Sequence, residues 1–211
     1  MMDQGSPEWF AARCGKATAS KIADIIATTK SGYSASRATY AGVLIAERLT
    51  GQSDSGFSNA AMQWGTDREP EARDAYRLHA LCEVAEIGFV EHPTIPMSGA
   101  SPDGLVGDDG LVELKCPNTI THINTLLGKA VPAKYRTQIM WQLACTGRQW
   151  CDFVSYDPRL PEAMSLFVQR VHRDDAAIAE MEREVTTFLA EVEEKVSALR
   201  NAYEPQLEQA A

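Results

Sequence analysis

Residues 101–115, SPDGLVGDDGLVELK, constrain this chain more than any other stretch of its sequence. Near the end of the stretch, apolar residues alternate with charged ones, and such alternation predicts a strand. Side chains two residues apart on a strand point to the same face, so we expect Glu113 and Lys115 to face one space together with Asp103. Two carboxylates and one ammonium around a single point can hold a divalent metal and orient a water molecule beside it.

A simpler interpretation of the same stretch stays open. Asp-Gly and Asp-Asp-Gly are common turn sequences, so residues 108–110 could form the tip of a hairpin that carries an exposed Glu/Lys pair. Val112 and Leu114, however, are apolar and face the other side of the strand, as expected for a buried central strand. On the partner face, the charges of Glu113 and Lys115 would be costly unless they were paired or bound to a metal.

The composition is typical of a globular protein. The 211 residues are enough for one domain with a sizeable core, and no apolar run is long enough to span a membrane. The first residues lack the basic and apolar regions of a signal peptide. The five cysteines are odd in number and none forms a Cys-x-x-Cys pair, which argues against disulfides or zinc and favours a reducing cytoplasm.

The net charge of −9 does not exclude nucleic acid as a partner. Residues 174–211 contain ten acids and three bases, whereas the preceding 173 residues carry nineteen acids and seventeen bases. The acidity therefore belongs mainly to the C-terminal segment, and a basic channel elsewhere is compatible with the composition.

Hydrophobic spacing and turn residues predict an α/β fold with a mixed sheet and no internal repeat. Helices are expected after Thr18-Ala19-Ser20 and over residues 38–49, 60–80, 133–145 and 174–200. Strands are expected over residues 82–92, 97–101, 111–115, 150–156 and 165–172, and loops over 28–36 and 50–58. The last helix combines a buried apolar stripe with an acidic face that is expected to be solvated.

An ordered set of motifs resembles one family of nucleases. Pro102-Asp103 followed by Glu113-Leu114-Lys115 is similar to the PD-(D/E)XK nuclease core. The wider likeness is to the lambda-type phage exonucleases of the YqaJ-like viral recombinase family. It includes Trp9 through Arg13, Thr18-Ala19-Ser20, Trp64-Gly65 with Glu69, residues 101–104 and 113–117, Tyr135-x-x-Gln138 and Tyr156-Asp157-Pro158-Arg159.

The resemblance implies a single nuclease domain over residues 1–211. Its core would be restriction-endonuclease-like, with helices flanking a central mixed sheet. A long C-terminal helix would follow, and residues 174–211 would form this acidic helix and its tail.

The resemblance also implies roles for the charged residues of the opening stretch. Asp103 and Glu113, together with the backbone carbonyl of Leu114, would ligate Mg²⁺, for which Mn²⁺ could substitute. Lys115 would orient or deprotonate the attacking water and offset negative charge in the transition state.

Two further catalytic residues are implied outside that stretch. Glu69 matches an upstream helix acid near the metals and is preferred over Glu71, which faces elsewhere on a helix. Gln138 matches a glutamine that contacts the scissile phosphate or the nucleophile. Tyr135, one helical turn before it, is explained equally well as a packing aromatic.

Arg13, Ser20 and Ser101 match a pocket that binds the 5′-terminal phosphate of DNA in the family. Arginine makes bidentate bonds to phosphate, and serine hydroxyls with a helix N-terminus add donors. From the residues alone, the alternative is that Ser20 caps a helix and Arg13 forms a surface ion pair.

The function that the resemblance implies is a Mg²⁺-dependent 5′→3′ exonuclease. It would digest one strand of linear double-stranded DNA to mononucleotides and leave 3′ overhangs for phage-type recombination. A homotrimer, a single-strand annealing partner and the cytoplasm of a bacterial host are implied as well, with phage or prophage origin. Rival functions are an endonuclease or repair nuclease with the same core, and a catalytically silent protein that binds DNA ends.

Overall fold

The computed structural model describes residues 3–53 and 60–204, which contain eight helices and ten strands. The helices are α1 Pro7–Arg13, α2 Ile22–Ile26, α3 Ala35–Thr50, α4 Ala60–Ala80, α5 Thr119–Gly128, α6 Ala133–Thr146, α7 Glu162–Ser165 and α8 Asp175–Tyr203. The strands are β1 Ala17–Thr18, β2 Thr28–Thr29, β3 Gly32–Tyr33, β4 Val84–Ala85, β5 Val90–Glu91, β6 Ser98–Ala100, β7 Gly104–Val106, β8 Gly110–Lys115, β9 Trp150–Tyr156 and β10 Leu166–His172. A 3₁₀ turn at Ala19–Lys21 links β1 to α2.

Five strands form the main sheet, in the order β10-β9-β8-β7-β4. The central strand β8 is parallel to β9, and the other three pairs are antiparallel. The sheet is therefore mixed, as predicted. The hairpin of the simpler interpretation is also present, because β7 turns back into β8 through residues 107–109, but Glu113 is buried instead of exposed.

The central strand alternates between two cores, as its sequence predicted. Leu111 belongs to the larger core, to which α2, α3, α6 and α8 contribute. Val112 and Leu114 belong to the second core, where Tyr76 of α4 packs against them. Because side chains alternate along a strand, Glu113 lies on the same face as Leu111 and points toward the larger helical layer.

The last helix is attached to α3 by charge as well as by apolar packing. The carboxylate of Asp174 caps α8 by accepting two N–H groups of its first turn. The acids of this helix are exposed or partly exposed, as expected, and two of them also pair with α3. Glu191 lies 2.9 Å from Arg37, and Glu193 lies 3.0 Å from Arg48. These ion pairs place part of the C-terminal acidity against the protein itself.

Several predicted boundaries differ from the structure. Residues 82–92, predicted as one strand, form β4 and β5, which belong to different sheets. Residues 28–36, predicted as a loop, contain the hairpin of β2 and β3. Helices α1 and α5 had not been predicted, and the predicted loop at 50–58 lies partly outside the described residues. In the described ranges, every helix is too short or too polar to serve as a membrane span.

Candidate active site

The carboxylate of Asp103 lies beside the last residues of β8, where β7 no longer pairs with that strand. Strand β7 begins at Gly104, opposite Val112, so the ladder between β7 and β8 stops two residues before Leu114. The N–H of Leu114 donates instead to Oδ2 of Asp103 at 2.7 Å. The late start of β7 therefore brings the first predicted carboxylate to the strand that carries the other charged residues.

Glu113 is fully buried, and every carboxylate oxygen has a donor. Burial of an ionised carboxylate is strongly unfavourable unless charged or polar donors surround it. Oε1 forms an ion pair with Nζ of Lys115 and accepts a hydrogen bond from Nε2 of Gln138 at 2.5 Å. Oε2 accepts from Nε2 of Gln142 at 2.6 Å. The structure thus joins three of the predicted residues into one group and adds Gln142, which the sequence had not singled out.

Lys115 is held as a cation beside these carboxylates. Burial lowers the pKa of a lysine, but the charges of Glu113 and Asp103 outweigh it, and the pKa of Lys115 is raised above its ordinary value. Its ammonium lies 5.5 Å from the centre of the Tyr135 ring, which itself stacks on Phe153 at 5.4 Å between centroids. Lys115 therefore presents an ammonium group to the carboxylates of the site.

Burial and neighbouring charges disfavour the ionised forms of Asp103 and Glu69. Burial and the charge of Glu113 raise the pKa of Asp103 well above its usual range. Burial also raises the pKa of Glu69 on α4, although Arg73 opposes this effect from 2.9 Å. The charges of Glu113 and Lys115 act on Glu69 as well, so the structure places the predicted helix acid near the group. Clustered carboxyls with raised pKa values mark a position where a cation would be stabilised.

The available donors suit a hard divalent cation that keeps part of its water shell. Asp103 and Glu113 offer carboxylate oxygens, and Leu114 offers a main-chain carbonyl between the charged residues of β8. Within residues 3–53 and 60–204, no cluster of three or more His, Cys, Asp or Glu side chains is arranged to hold an ion. Mg²⁺ needs no such cluster, because it is commonly bound through one or two carboxylates and several waters. The oxygen donors of Asp103, Glu113 and Leu114 therefore fit Mg²⁺.

Cys116 follows Lys115 in sequence, but its thiol is not activated as a nucleophile. Burial is the main cause that raises the pKa of its thiol to about 12. The thiolate is the nucleophilic form of cysteine, and this shift leaves almost none of it at neutral pH. Covalent catalysis by Cys116 is therefore unsupported.

Arg159, from the Tyr-Asp-Pro-Arg motif, connects the segment after β8 to α4. Its guanidinium binds both oxygens of Asp157, at 2.7 and 3.0 Å, and donates to the carbonyl of Pro117 at 3.2 Å. The same group lies 4.3 Å from the centre of the Trp64 ring on α4. Because α4 also carries Glu69, this contact helps to hold the helix acid near the end of β8.

A second polar cluster surrounds the hydroxyl of Ser101. Nη1 of Arg13 donates to Oγ of Ser101 at 3.2 Å, and Nε1 of Trp9 donates to the same atom at 2.9 Å. The guanidinium carbon of Arg13 lies 4.0 Å from the centre of the Trp9 ring. Burial lowers the pKa of Arg13, and the charges of Tyr40 and Glu47 oppose this effect. The guanidinium therefore lies against the Trp9 ring and the Ser101 hydroxyl, and the Glu47 carboxylate acts on it electrostatically. The phosphate pocket at Arg13 stays a prediction.

Ser20 lies at the same edge of the small sheet as Ser101. Strands β1 and β6 are parallel, with Thr18 opposite Gly99. Ser20 and Ser101 each follow those partners by two residues, and residues that follow parallel neighbours leave the sheet at one edge. Ser20 is exposed and sits inside the 3₁₀ turn, whose N-cap is Thr18. The alternative that Ser20 caps a helix is therefore wrong.

The fold and the charged group on β8 together define a nuclease of the PD-(D/E)XK type, which confirms the predicted fold class. A family model described as the YqaJ-like viral recombinase domain matches residues 8–149. The chain belongs to that family.

Solved structures agree with this assignment. Two crystal structures of LHK-Exo, an alkaline exonuclease from Laribacter hongkongensis, are 54% and 53% identical to the chain, each with a TM-score of 0.88. Each match covers 93% of this chain and 97% of the other, and one of the two structures is a complex with dAMP. A phage related exonuclease from Haemophilus somnus 129PT is 15% identical, with a TM-score of 0.72 over 87% of this chain and 96% of the other, and shares the fold. No curated protein matches the chain.

Proposed function

We propose that this protein is a Mg²⁺-dependent 5′→3′ exonuclease acting on linear double-stranded DNA. It hydrolyses one strand to mononucleotides and leaves a 3′ single-stranded overhang. The observation that carries the proposal is the proximity of two clusters along the chain. The anion-binding cluster of Arg13, Trp9 and Ser101 is joined through Pro102 to Asp103 of the charged group.

The charged group supplies the hydrolytic part of the proposal. A bound Mg²⁺ supplies Lewis-acid chemistry to the phosphodiester, and Mn²⁺ can take its place. Asp103, Glu113 and the carbonyl of Leu114 hold the ion, with Glu69 close by. Lys115 directs its ammonium toward the negative charge that develops on the phosphate, and Gln138 offers amide hydrogens to the same region once it releases Glu113.

The cluster around Ser101 would explain why digestion starts at the 5′ end. Arg13 presents a guanidinium to the 5′-terminal phosphate, and the hydroxyls of Ser20 and Ser101 add donors at the same edge. Two residues of extended chain span at most about 7 Å, so Ser101 and Asp103 are separated by a distance comparable with one nucleotide. A strand anchored by its terminal phosphate would therefore be cut one nucleotide from its end, and dAMP in the LHK-Exo structure belongs to that class of product.

An end-labelled digestion tests the proposal. Linear duplex labelled at either end is incubated with Mg²⁺, with and without a 5′ phosphate, beside a covalently closed circle. We expect mononucleotides from the 5′-phosphorylated strand, slower digestion of the 5′-hydroxyl duplex, and an intact circle. Nicking of the circle would instead indicate an endonuclease or repair nuclease, and binding of ends without release of label would indicate a silent end-binding protein.

Family membership supports further parts of the proposal. The single nuclease domain would assemble as a homotrimer around DNA and work with a single-strand annealing protein. It would act in the cytoplasm of a bacterial host and be encoded by a phage or prophage. Size-exclusion chromatography with light scattering at micromolar concentration tests the assembly. A monomer under these conditions would rule out the trimer and leave the proposed chemistry intact.

A further inference from the structure

Gln142 lies one helical turn beyond Gln138 on α6, and both side chains reach the carboxylate of Glu113. Residues four apart share one face of a helix. Gln138 bonds Oε1 and is partly exposed, whereas Gln142 bonds Oε2 and is fully buried. The two glutamines therefore bind different oxygens of one buried carboxylate, Gln138 from the partly exposed side and Gln142 from the interior.

The amide oxygen of Gln142 lies in unfavourable surroundings. Its Oε1 is buried and has no hydrogen-bond partner among the residues that the structure describes. Native proteins keep few such groups, and each one calls for an explanation. An ionised carboxylate only accepts hydrogen bonds, so the NH₂ group has to face Glu113 and the amide oxygen has to point away from it. A packing role alone would be met better by methionine, which has a similar shape and no amide oxygen to bury.

The partners of the two Glu113 oxygens also differ in kind. Oε1 is shared by Lys115 and Gln138, both of which are partly exposed and belong to the proposed chemistry. Oε2 contacts Gln142, which lies away from solvent. A substrate or an ion that enters the site can replace the first set of contacts and leave the second in place.

We propose that Gln142 is a positioning residue, which fixes Oε2 of Glu113 so that Oε1 can exchange Lys115 and Gln138 for a divalent cation. The inference rests on the proposed function, because it assumes that Glu113 ligates a metal. Hydrogen bonds from outside the ligand set orient a ligating carboxylate and tune its affinity for the ion. Without the Gln142 donor, the carboxylate would be held at one oxygen only and would lose its fixed orientation.

Calorimetric titration of Mn²⁺ and of Mg²⁺ into chelator-treated protein, in the absence of DNA, tests the inference. Gln142→Met removes the donor and keeps a similar shape, and Leu143→Met is the matched control at a neighbouring buried position of the apolar core. We expect Gln142→Met to bind both ions about 10- to 100-fold more weakly than wild type. We expect Leu143→Met to bind them as wild type does. Higher Mg²⁺ should restore most of the kcat of Gln142→Met, since a positioning residue does not touch the reacting atoms.

A double variant shows whether Gln142 acts through Glu113. In the Glu113→Gln background, adding Gln142→Met should weaken metal binding no further, because the group that Gln142 positions is already altered. Thermal unfolding of each variant establishes that it is folded. If Gln142→Met does not fold, Gln142→Asn takes its place in the titration, because it keeps an amide that is one methylene too short to make the same bond.

The possible outcomes separate the two proposals. Wild-type metal affinity in folded Gln142→Met, or an equal loss from Gln142→Met with and without Glu113, would overturn the role of Gln142 while leaving the proposed function untouched. A wild-type protein that binds neither ion would overturn metal dependence and this inference with it.

Discussion

Arg13 and Ser101 are 88 positions apart in the chain, yet Nη1 of the arginine lies 3.2 Å from Oγ of the serine. Ser101 is in turn separated from Asp103 by Pro102 alone. Proline restricts the backbone, so the spacing between the hydroxyl and the carboxylate has little freedom. The contact between Arg13 and Ser101 thus places the guanidinium that we propose binds the 5′ phosphate at a nearly fixed distance from the charged group on β8.

Arg13→Ala should reduce the preference for 5′-phosphorylated over 5′-hydroxyl ends. A hydrogen bond to a charged group contributes about 1.5–3 kcal/mol, which corresponds to a loss of roughly 10-fold or more in this preference. The measurement is kcat/KM on the two duplexes. Arg77→Ala is the control, since Arg77 lies on α4 and pairs with Glu83 at the surface. Equal losses on both duplexes would contradict a phosphate pocket at Arg13.

Trp9→Phe should produce a smaller defect of the same kind. Phenylalanine retains an aromatic ring beside Arg13 but lacks the indole N–H that donates to Ser101. A neutral hydrogen bond contributes about 0.5–1.5 kcal/mol, so a loss of roughly 2- to 10-fold in the preference is expected. The same pair of substrates measures it, with Trp9→Ala as the more severe variant. A Phe variant as impaired as the Ala variant would show that the N–H dominates the ring contact.

Asp103→Asn should stabilise the metal-free protein and abolish most of its activity. The raised pKa of Asp103 shows that its charged form is unfavourable in the fold, and asparagine removes that charge while it can still accept the Leu114 N–H. Activity should fall by more than about 100-fold, beyond the usual effect of losing a residue outside the ligand set. Thermal unfolding in chelator and digestion in Mg²⁺ measure the two effects. Near-wild-type digestion would remove Asp103 from the proposed ligands.

The stability advantage of Asp103→Asn over wild type should grow with pH in the presence of chelator. Burial raises the folded-state pKa of Asp103 above its unfolded value, so the folded wild-type protein binds more protons and loses stability as pH rises through that window. The window begins at the ordinary aspartate pKa and extends upward. Unfolding midpoints of both proteins across a pH series measure it, and the pairwise comparison cancels titrating groups that lie away from Asp103. A difference that stays constant with pH would refute the shift.

Lys115→Met should lower the stability of the metal-free protein and leave DNA binding in place while cleavage is lost. Removing the lysine leaves the buried Glu113 carboxylate without its cation, and breaking a buried pair costs about 3–5 kcal/mol. Chemical denaturation, a filter-binding assay and digestion measure the three effects. Lys21→Met provides the control, since Lys21 pairs at the surface with Asp24. Digestion at the wild-type rate by Lys115→Met would overturn the assigned role.

Local sequence patterns were sufficient to predict the buried faces of the central strand and of the last helix. Alternation along β8 predicted that Val112 and Leu114 would be buried on one face and Glu113 on the other, and both expectations are confirmed. The apolar stripe of α8 likewise predicted its buried face. The strand over residues 82–92 was wrong because a local pattern indicates extended chain and does not show which sheet the chain joins.

Other features depended on distant contacts or on competing local signals. Helix α5 is rich in threonine and isoleucine, which favour strands, while Asn118 caps it as a helix. Gln142 reaches Glu113 from 29 positions away. The sequence feature that could have indicated Gln142 was its position four residues after Gln138, among residues that are otherwise apolar. The sequence could not show which residues contact Arg13 for the same reason. Ser101 follows β6, and the pairing of β6 with β1 brings it close to Arg13.

The parallel pairing of β1 with β6 has a consequence for the order in which the protein is made. Residues 17–18 cannot form their ladder until residues 98–99 have been made. The cluster around Ser101, which we propose binds a DNA end, therefore cannot assemble until nearly half of the chain has left the ribosome. The donors around Glu113 arrive later still, with α6, and α8 adds its share of the larger core last of all. Domains fold as units during synthesis. An unfinished chain is therefore expected to lack both the proposed end-binding cluster and the complete charged group on β8.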